Sequence, residues 1–271
     1  MNNSDLFQAR WNISRLLLCN LLALALMCFW LWPTGHAVFT QFDEWLFHLL
    51  NHPLAESTVW LYIWTVASMR PFDIIVGLIL LTLLIKGDWV FEAIHVRQAF
   101  FGFLAILILL LIIRTIFEKS VKHMGWQHSS PSVVLPGALS MSAFFPNLPE
   151  ALDLKDSSNQ SFPGDHASVL LIWALFITLF SRTNGQRLVI WGLAFLFMLP
   201  RLVAGAHWGQ DDYIGGAAMA ALALGWGYYT PLAAHASRFL LRVTESLFKP
   251  LSYLPVIKHM SVVRFPTVRG R

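Results

Sequence analysis

Hydrophobic residues in this chain come in long unbroken blocks, without the alternating or every-third-and-fourth spacing of a soluble domain. The blocks run approximately over 16–32, 71–85, 98–117, 166–181, 188–204 and 212–230, with a Trp-rich stretch at 57–67 ahead of the second. Roughly 17–25 apolar residues carry an α-helix through bilayer hydrocarbon, so the pattern predicts an all-α polytopic membrane protein with six transmembrane helices. The second block is the shortest, since Ile74 to Ile85 alone falls below the ~20 residues of an ordinary span. Pro71 suits the first turn of that helix, where its missing N–H costs nothing, and the segment around Trp60 and Trp64 reads as an interfacial helix.

Composition sharpens this. Hydrophobic residues make up 56% of the chain and charged residues 13%, against about 25% charged in soluble domains. No polar stretch is long enough to bury a core of its own, so residues 1–237 read as one membrane domain and 238–271 as a basic tail. That tail holds seven Lys or Arg and the single acid Glu245, a pattern suited to anionic lipid of the inner leaflet. With both termini cytoplasmic, 13 of the 19 Lys and Arg fall on the inner side, as the positive-inside bias requires. The other six, Arg70, Arg114, Lys119, Lys122, Lys155 and Arg201, lie outside or at the outer boundary, together with the long loop 118–164. The first apolar block, flanked by Arg15 and by Gly35-His36-Ala37, has the look of a signal peptide and is read as an uncleaved anchor. Cys19 and Cys28 lie nine residues apart, about 13.5 Å along a helix and on opposite sides, so they cannot pair with each other.

Two polar islands interrupt the apolar pattern at its outer boundary: Ser161-Phe162-Pro163-Gly164-Asp165-His166, and Arg201 followed by His207 and Asp211. Ionisable groups at that depth are expensive unless they face a site. His166 opens the fourth helix, whose start offers unpaired N–H groups and a positive dipole end to an anion. His207 and Asp211 are four apart and share a face if the backbone is helical, so the carboxylate can orient the imidazole. Arg201 supplies a planar fork of donors for phosphate oxygens. One histidine to attack phosphorus, a second to protonate the departing oxygen and an arginine to hold the spreading charge suffice for phosphoryl transfer.

The spacing Arg201-x5-His207-x3-Asp211, with Pro163-Gly164-Asp165-His166 upstream, resembles the last two motifs of the type-2 phosphatidic acid phosphatase superfamily of lipid phosphate phosphatases. That resemblance implies His207 as nucleophile, Asp211 as its partner, His166 as general acid and Arg201 as phosphate ligand, with no metal and no cofactor. It departs from the usual pattern at Gly164 and Asp165, which replace a serine and a glycine, and at Pro200, which replaces a serine. The first motif is degraded, leaving Lys119, Lys122 and His128 as candidate phosphate ligands beside Gly164 and Asp165. The departures, with Arg70-Pro71-Phe72-Asp73, resemble the bacterial lipid A 1-diphosphate synthase branch. Members of that branch move phosphate from undecaprenyl diphosphate to the 1-phosphate of lipid A at the periplasmic face of the inner membrane.

Blander readings stand beside these. Asp165, just before a helix, reads most simply as an N-cap, and Arg70 with Asp73 as a local pair as readily as a substrate contact. Gly205, Gly215 and Gly216 read as close-packing points. The rival activities are hydrolysis of undecaprenyl diphosphate or another phospholipid phosphate, metal-assisted hydrolysis through His166, His207 and Asp211, and non-catalytic lipid-phosphate binding or transport. The bilayer and a lipid phosphate or diphosphate are the expected partners, with lipid A as a possible acceptor and no nucleic acid.

Overall fold

The computed structural model describes residues 5–251 and 261–262. Among these it is all-helical, with α1 (Ile13–Leu31), α2 (Pro33–Asn51), α3 (Thr58–Ala67), α4 (Arg70–Ile85), α5 (Val96–His123), α6 (Asp165–Thr178) and α7 (Asn184–Ala204). A wide π-helical turn, Asp211–Gly216, runs into α8 (Ala217–Tyr228), and α9 (Leu232–Leu251) follows. Each of the six apolar blocks is therefore helical. Three helices, α1, α5 and α7, are long and apolar enough to cross a membrane, and α3 with α4 qualifies as a fourth if the pair counts as one span bent by 68°. The 14 residues of α6 and the 12 of α8 fall short of a full crossing by length.

The bend between α3 and α4 has a local cause and a use. Met69 is extended ahead of α4 (φ −86°, ψ 152°) and Pro71 occupies the first turn. The break leaves the Ser68 carbonyl free, and it accepts from Arg201 Nη1 at 2.8 Å and from the Lys155 N–H at 3.1 Å. The Trp-rich stretch packs one face on α7, with Trp64 and Ala67 against Val203 and Ala204, and leaves Val59, Tyr62, Ile63 and Val66 exposed on the other.

The centre of the bundle is α8, whose small residues are buried against α1, α5 and α6. Small side chains let helix axes approach, and close packing rather than water exclusion holds helices together in lipid. Gly215 and Gly216 serve this directly: a Cβ would lie 2.7 Å from Pro163 Cβ at the first and 2.9 Å from Ala167 Cβ at the second. Around this centre Ile106, Leu110, Ile172, Trp173, Phe176 and Ile190 form the core. The outward residues of α1, α4, α5 and α7, among them Leu18, Leu21, Ile74, Leu78, Ile112, Leu188 and Leu196, stay exposed, an apolar rim that suits lipid.

The segment after α5 is built rather than slack. Asn51 clasps it, donating to the Leu139 and Val203 carbonyls and accepting from the Leu139 N–H. Buried Asp156 accepts from Ser140 Oγ at 2.6 Å and from the Ser142 N–H at 2.7 Å. Cys19 and Cys28 are both free. The boundary expected at 237/238 falls inside α9, and the tail at 252–260 and 263–271 lies outside the described residues.

Candidate active site

Two chain breaks converge on one point: the start of α6 and the loop between α7 and the π-helical turn. α7 ends at Gly205 in the left-handed region (φ +74°), a conformation that favours glycine. The chain turns there and brings His207 back beneath Ser161. His207 Nδ1 lies 2.9 Å from the Ser161 carbonyl and 3.4 Å from Asp211 Oδ2. A carbonyl can only accept, so Nδ1 carries a hydrogen and Nε2 is the ring nitrogen turned to the site. Nε2 meets Asp165 Oδ1 at 3.2 Å.

Asp211 is fully buried. Its Oδ2 accepts from the Trp208 N–H at 2.8 Å and its Oδ1 lies 2.9 Å from His128 Nε2. The imidazole is therefore held by a carboxylate that is itself held from two sides. The loop is pinned further by buried Asp43, which accepts from the Gln210 N–H at 2.8 Å and from Tyr213 Oη at 2.9 Å. From α1, Trp30 Nε1 donates to Gln210 Oε1 at 2.6 Å.

Across the cavity, His166 Nδ1 sits 2.9 Å from the same Asp165 Oδ1 that meets His207. One carboxylate oxygen thus touches both imidazoles. His166 Nε2 faces Arg201 Nη2 at 3.1 Å and Asp73 Oδ1 at 3.2 Å. Arg201 is buried, and its Nη2 donates to Asp73 Oδ2 at 2.6 Å. Asp73 therefore clamps the guanidinium with one oxygen and the second histidine with the other.

Several expectations change here. Asp165 is not the N-cap of α6; Gly164 holds that position, and Asp165 in the first turn bridges the histidines. Gly164 is no phosphate ligand through its amide, because its N–H donates to the Asp211 carbonyl at 2.8 Å. A Cβ there would lie 2.3 Å from Asp212 Oδ1, so this is a close-approach position. His128 binds Asp211 and has no place in the cavity wall. Lys119 and Lys122 are exposed and stand outside the cavity as well. Arg70 and Asp73 form no local pair: Arg70 lies 3.9 Å from Asp153, and Asp73 binds Arg201.

The cavity beside the histidines measures about 160 Å³, and its cationic wall is Arg70, Arg114, Lys155 and Arg201. Arg114 and Lys155, set on the outer side by charge placement alone, belong to neither motif. Arg114 carried a signal, an ionisable side chain well inside an apolar block; its Nε is buried without a hydrogen-bond partner among the described residues. The cavity adjoins an apolar groove of about 290 Å³ between α4, α6 and α7, walled by Phe72, Val76, Leu80, Val169, Leu170 and Phe197. Arg114, Asp165, His166 and Arg201 belong to both. A phosphate-sized polar space thus opens on a channel fit for a hydrocarbon chain. Among the described residues no three His, Cys, Asp or Glu side chains are grouped to hold a metal ion.

The electrostatics of His207 follow from this packing. Burial alone pulls its pKa down, but hydrogen bonds from its ring N–H groups to the Asp165 and Asp211 carboxylates outweigh that and push it up to about 10. A folded pKa raised from an ordinary 6.5 gives stability that is complete below about pH 6.5 and is lost as pH rises through about 10. The melting temperature of the purified protein is expected to fall across that window. Asp165→Asn should move the fall to lower pH, and identical alkaline limbs for the two proteins would refute the bridge.

Residues 103–235 match the model of the PAP2 superfamily. Over 223 residues the chain is 26% identical to the lipid A 1-diphosphate synthase of Escherichia coli (strain K12), covering 82% of this chain and 90% of that protein. No solved structure matches the chain significantly.

Proposed function

This chain is an enzyme of the PAP2 superfamily, and on that premise we propose that it transfers the terminal phosphoryl group of a lipid diphosphate to the phosphate of a second lipid. The donor is undecaprenyl diphosphate and the acceptor lipid A 1-phosphate, at the periplasmic boundary of the bacterial inner membrane, in a six-span chain with both termini cytoplasmic and a basic tail from about 238. The observation that carries the reading is the single Asp165 oxygen within 2.9 Å of His166 Nδ1 and 3.2 Å of His207 Nε2. Two ring nitrogens that reach one oxygen flank a space of about the size one phosphoryl group needs.

In this mechanism the terminal phosphate lies among Arg114, Arg201 and the two histidines while the prenyl chain occupies the apolar groove. His207 passes its Nε2 proton to Asp165, and the freed lone pair attacks phosphorus. The bond from phosphorus to the bridging oxygen breaks, and undecaprenyl phosphate leaves with the electron pair. Arg201, pre-positioned by Asp73 and the Ser68 carbonyl, holds the charge on the equatorial oxygens. An oxygen of the acceptor phosphate then attacks the phosphohistidine, the bond from phosphorus to Nε2 breaks with its electron pair left on the nitrogen, and Asp165 returns the proton to Nε2, which restores both residues. Asp211 and the Ser161 carbonyl keep the ring oriented throughout.

The test is purified protein with undecaprenyl diphosphate labelled in its terminal phosphate, with and without lipid A. Label in lipid A supports the transfer. Label only in inorganic phosphate with lipid A present makes the protein a lipid diphosphate phosphatase. No turnover of the label in either form would leave only a binding or transport role.

A further inference from the structure

At the opposite end of α1 from the catalytic loop lies a second cavity, of about 360 Å³, that the reaction does not use. We infer that it is a binding site for a phosphate head group, presented by an anionic phospholipid of the leaflet facing away from the catalytic site. Its wall includes Arg10, Asn12, Arg15, Tyr228, Tyr229 and Thr230, and no acidic residue. Among the described residues neither guanidinium forms an ion pair, and the nearby Asp5 meets Arg238 at 3.6 Å instead. Two unneutralised arginines on one polar hollow are an electrostatic demand for an anion.

The hollow is constructed. The segment ahead of α1 is strapped across the bundle by the Leu6 N–H on Gln98 Oε1 and the Asn12 N–H on the Tyr229 carbonyl, both at 2.9 Å. Phe7 is buried among Phe176, Phe180 and Tyr228. That strap fixes Arg10 and Arg15 over the start of α9.

A lipid is favoured over a free phosphate by what adjoins the cavity. Trp11 and Trp226 are exposed at this level, and Leu17, Leu18, Leu21 and Leu22 lie exposed along α1 immediately beyond it. Exposed tryptophans mark a membrane interface, and the leucines offer acyl chains a track. The 19 residues of α1 rise about 28 Å, close to the ~30 Å of bilayer hydrocarbon. At the far end Trp30 stacks on Phe162, with ring centroids 4.4 Å apart. A guest here is therefore a different molecule from the substrate phosphate.

The test is native mass spectrometry and thermal melting of the full chain in detergent, titrated with phosphatidylglycerol, phosphatidylcholine or inorganic phosphate. Wild type should retain phosphatidylglycerol over phosphatidylcholine and melt higher with it. The Arg10→Gln/Arg15→Gln protein should bind it roughly 10- to 30-fold more weakly, with unchanged phosphate release from substrate. Leu179→Trp, which fills the cavity and keeps both arginines, should also lose the lipid, so a topology defect in the double variant cannot decide the matter. Protection by inorganic phosphate with the same arginine dependence would support the anion site with a soluble guest. Equal phosphatidylglycerol binding by all three proteins would overturn it.

Discussion

Replacing His207 by alanine is expected to lower turnover of a lipid diphosphate by about 10⁴-fold or more, and to abolish any acid-labile phosphoprotein trapped by rapid quench. A covalent nucleophile has no understudy, and what survives its removal is the modest acceleration from binding and charge stabilisation alone. No second imidazole can take over, because His166 Nε2 is turned to Arg201 and Asp73 and its Nδ1 is bonded to Asp165. The fold should survive, since the loop keeps its pins from Asp43 to Gln210 and Tyr213 and from Asp211 to Trp208. A His207→Ala protein with wild-type phosphate release would remove the phosphohistidine and with it the proposed cycle.

Much of the helical layout was legible because apolar blocks report helix positions directly. Helix lengths were not, because hydropathy does not say where a helix stops. α6 ends after 14 residues, and α3 and α4 meet at a 68° bend whose freed Ser68 carbonyl is taken up by Arg201, a partner 133 residues away. The motif residues His166, Arg201, His207 and Asp211 could be named from spacing. Asp73 and Ser161 stood in the quoted motifs without their partners, and Asp43 carried no signal, since all three reach the site only through the fold. Lys119 and Lys122 drew attention by position relative to a degraded motif, yet both lie near the exposed end of α5. Arg114 is five residues earlier than Lys119, about 7.5 Å down the helix, and that step brings it to the cavity.

The sharpest result is expected from His166→Gln, and it divides hydrolysis from transfer. Inorganic phosphate release should fall by about 10²- to 10⁴-fold, the range in which a general acid–base operates. Phosphoryl transfer from a lipid diphosphate to a lipid phosphate should fall by less than about 10-fold. The reason lies in what each step asks of a proton. Cleaving a lipid monophosphate expels an alkoxide, whose conjugate acid is about as weak as water at a pKa of ~15.7, and it needs a proton in flight. Cleaving a diphosphate expels a phosphate monoester, whose second pKa is near 6, and it leaves well without one. In the second half-reaction a water molecule must lose a proton as it attacks, whereas an acceptor phosphate already carries the charge. His166 is placed for either duty, poised between Asp165 on one nitrogen and the Arg201–Asp73 pair on the other. If the substitution silenced transfer and hydrolysis alike, His166 would be binding phosphate rather than moving protons. The diphosphate donor would then lose its physical argument.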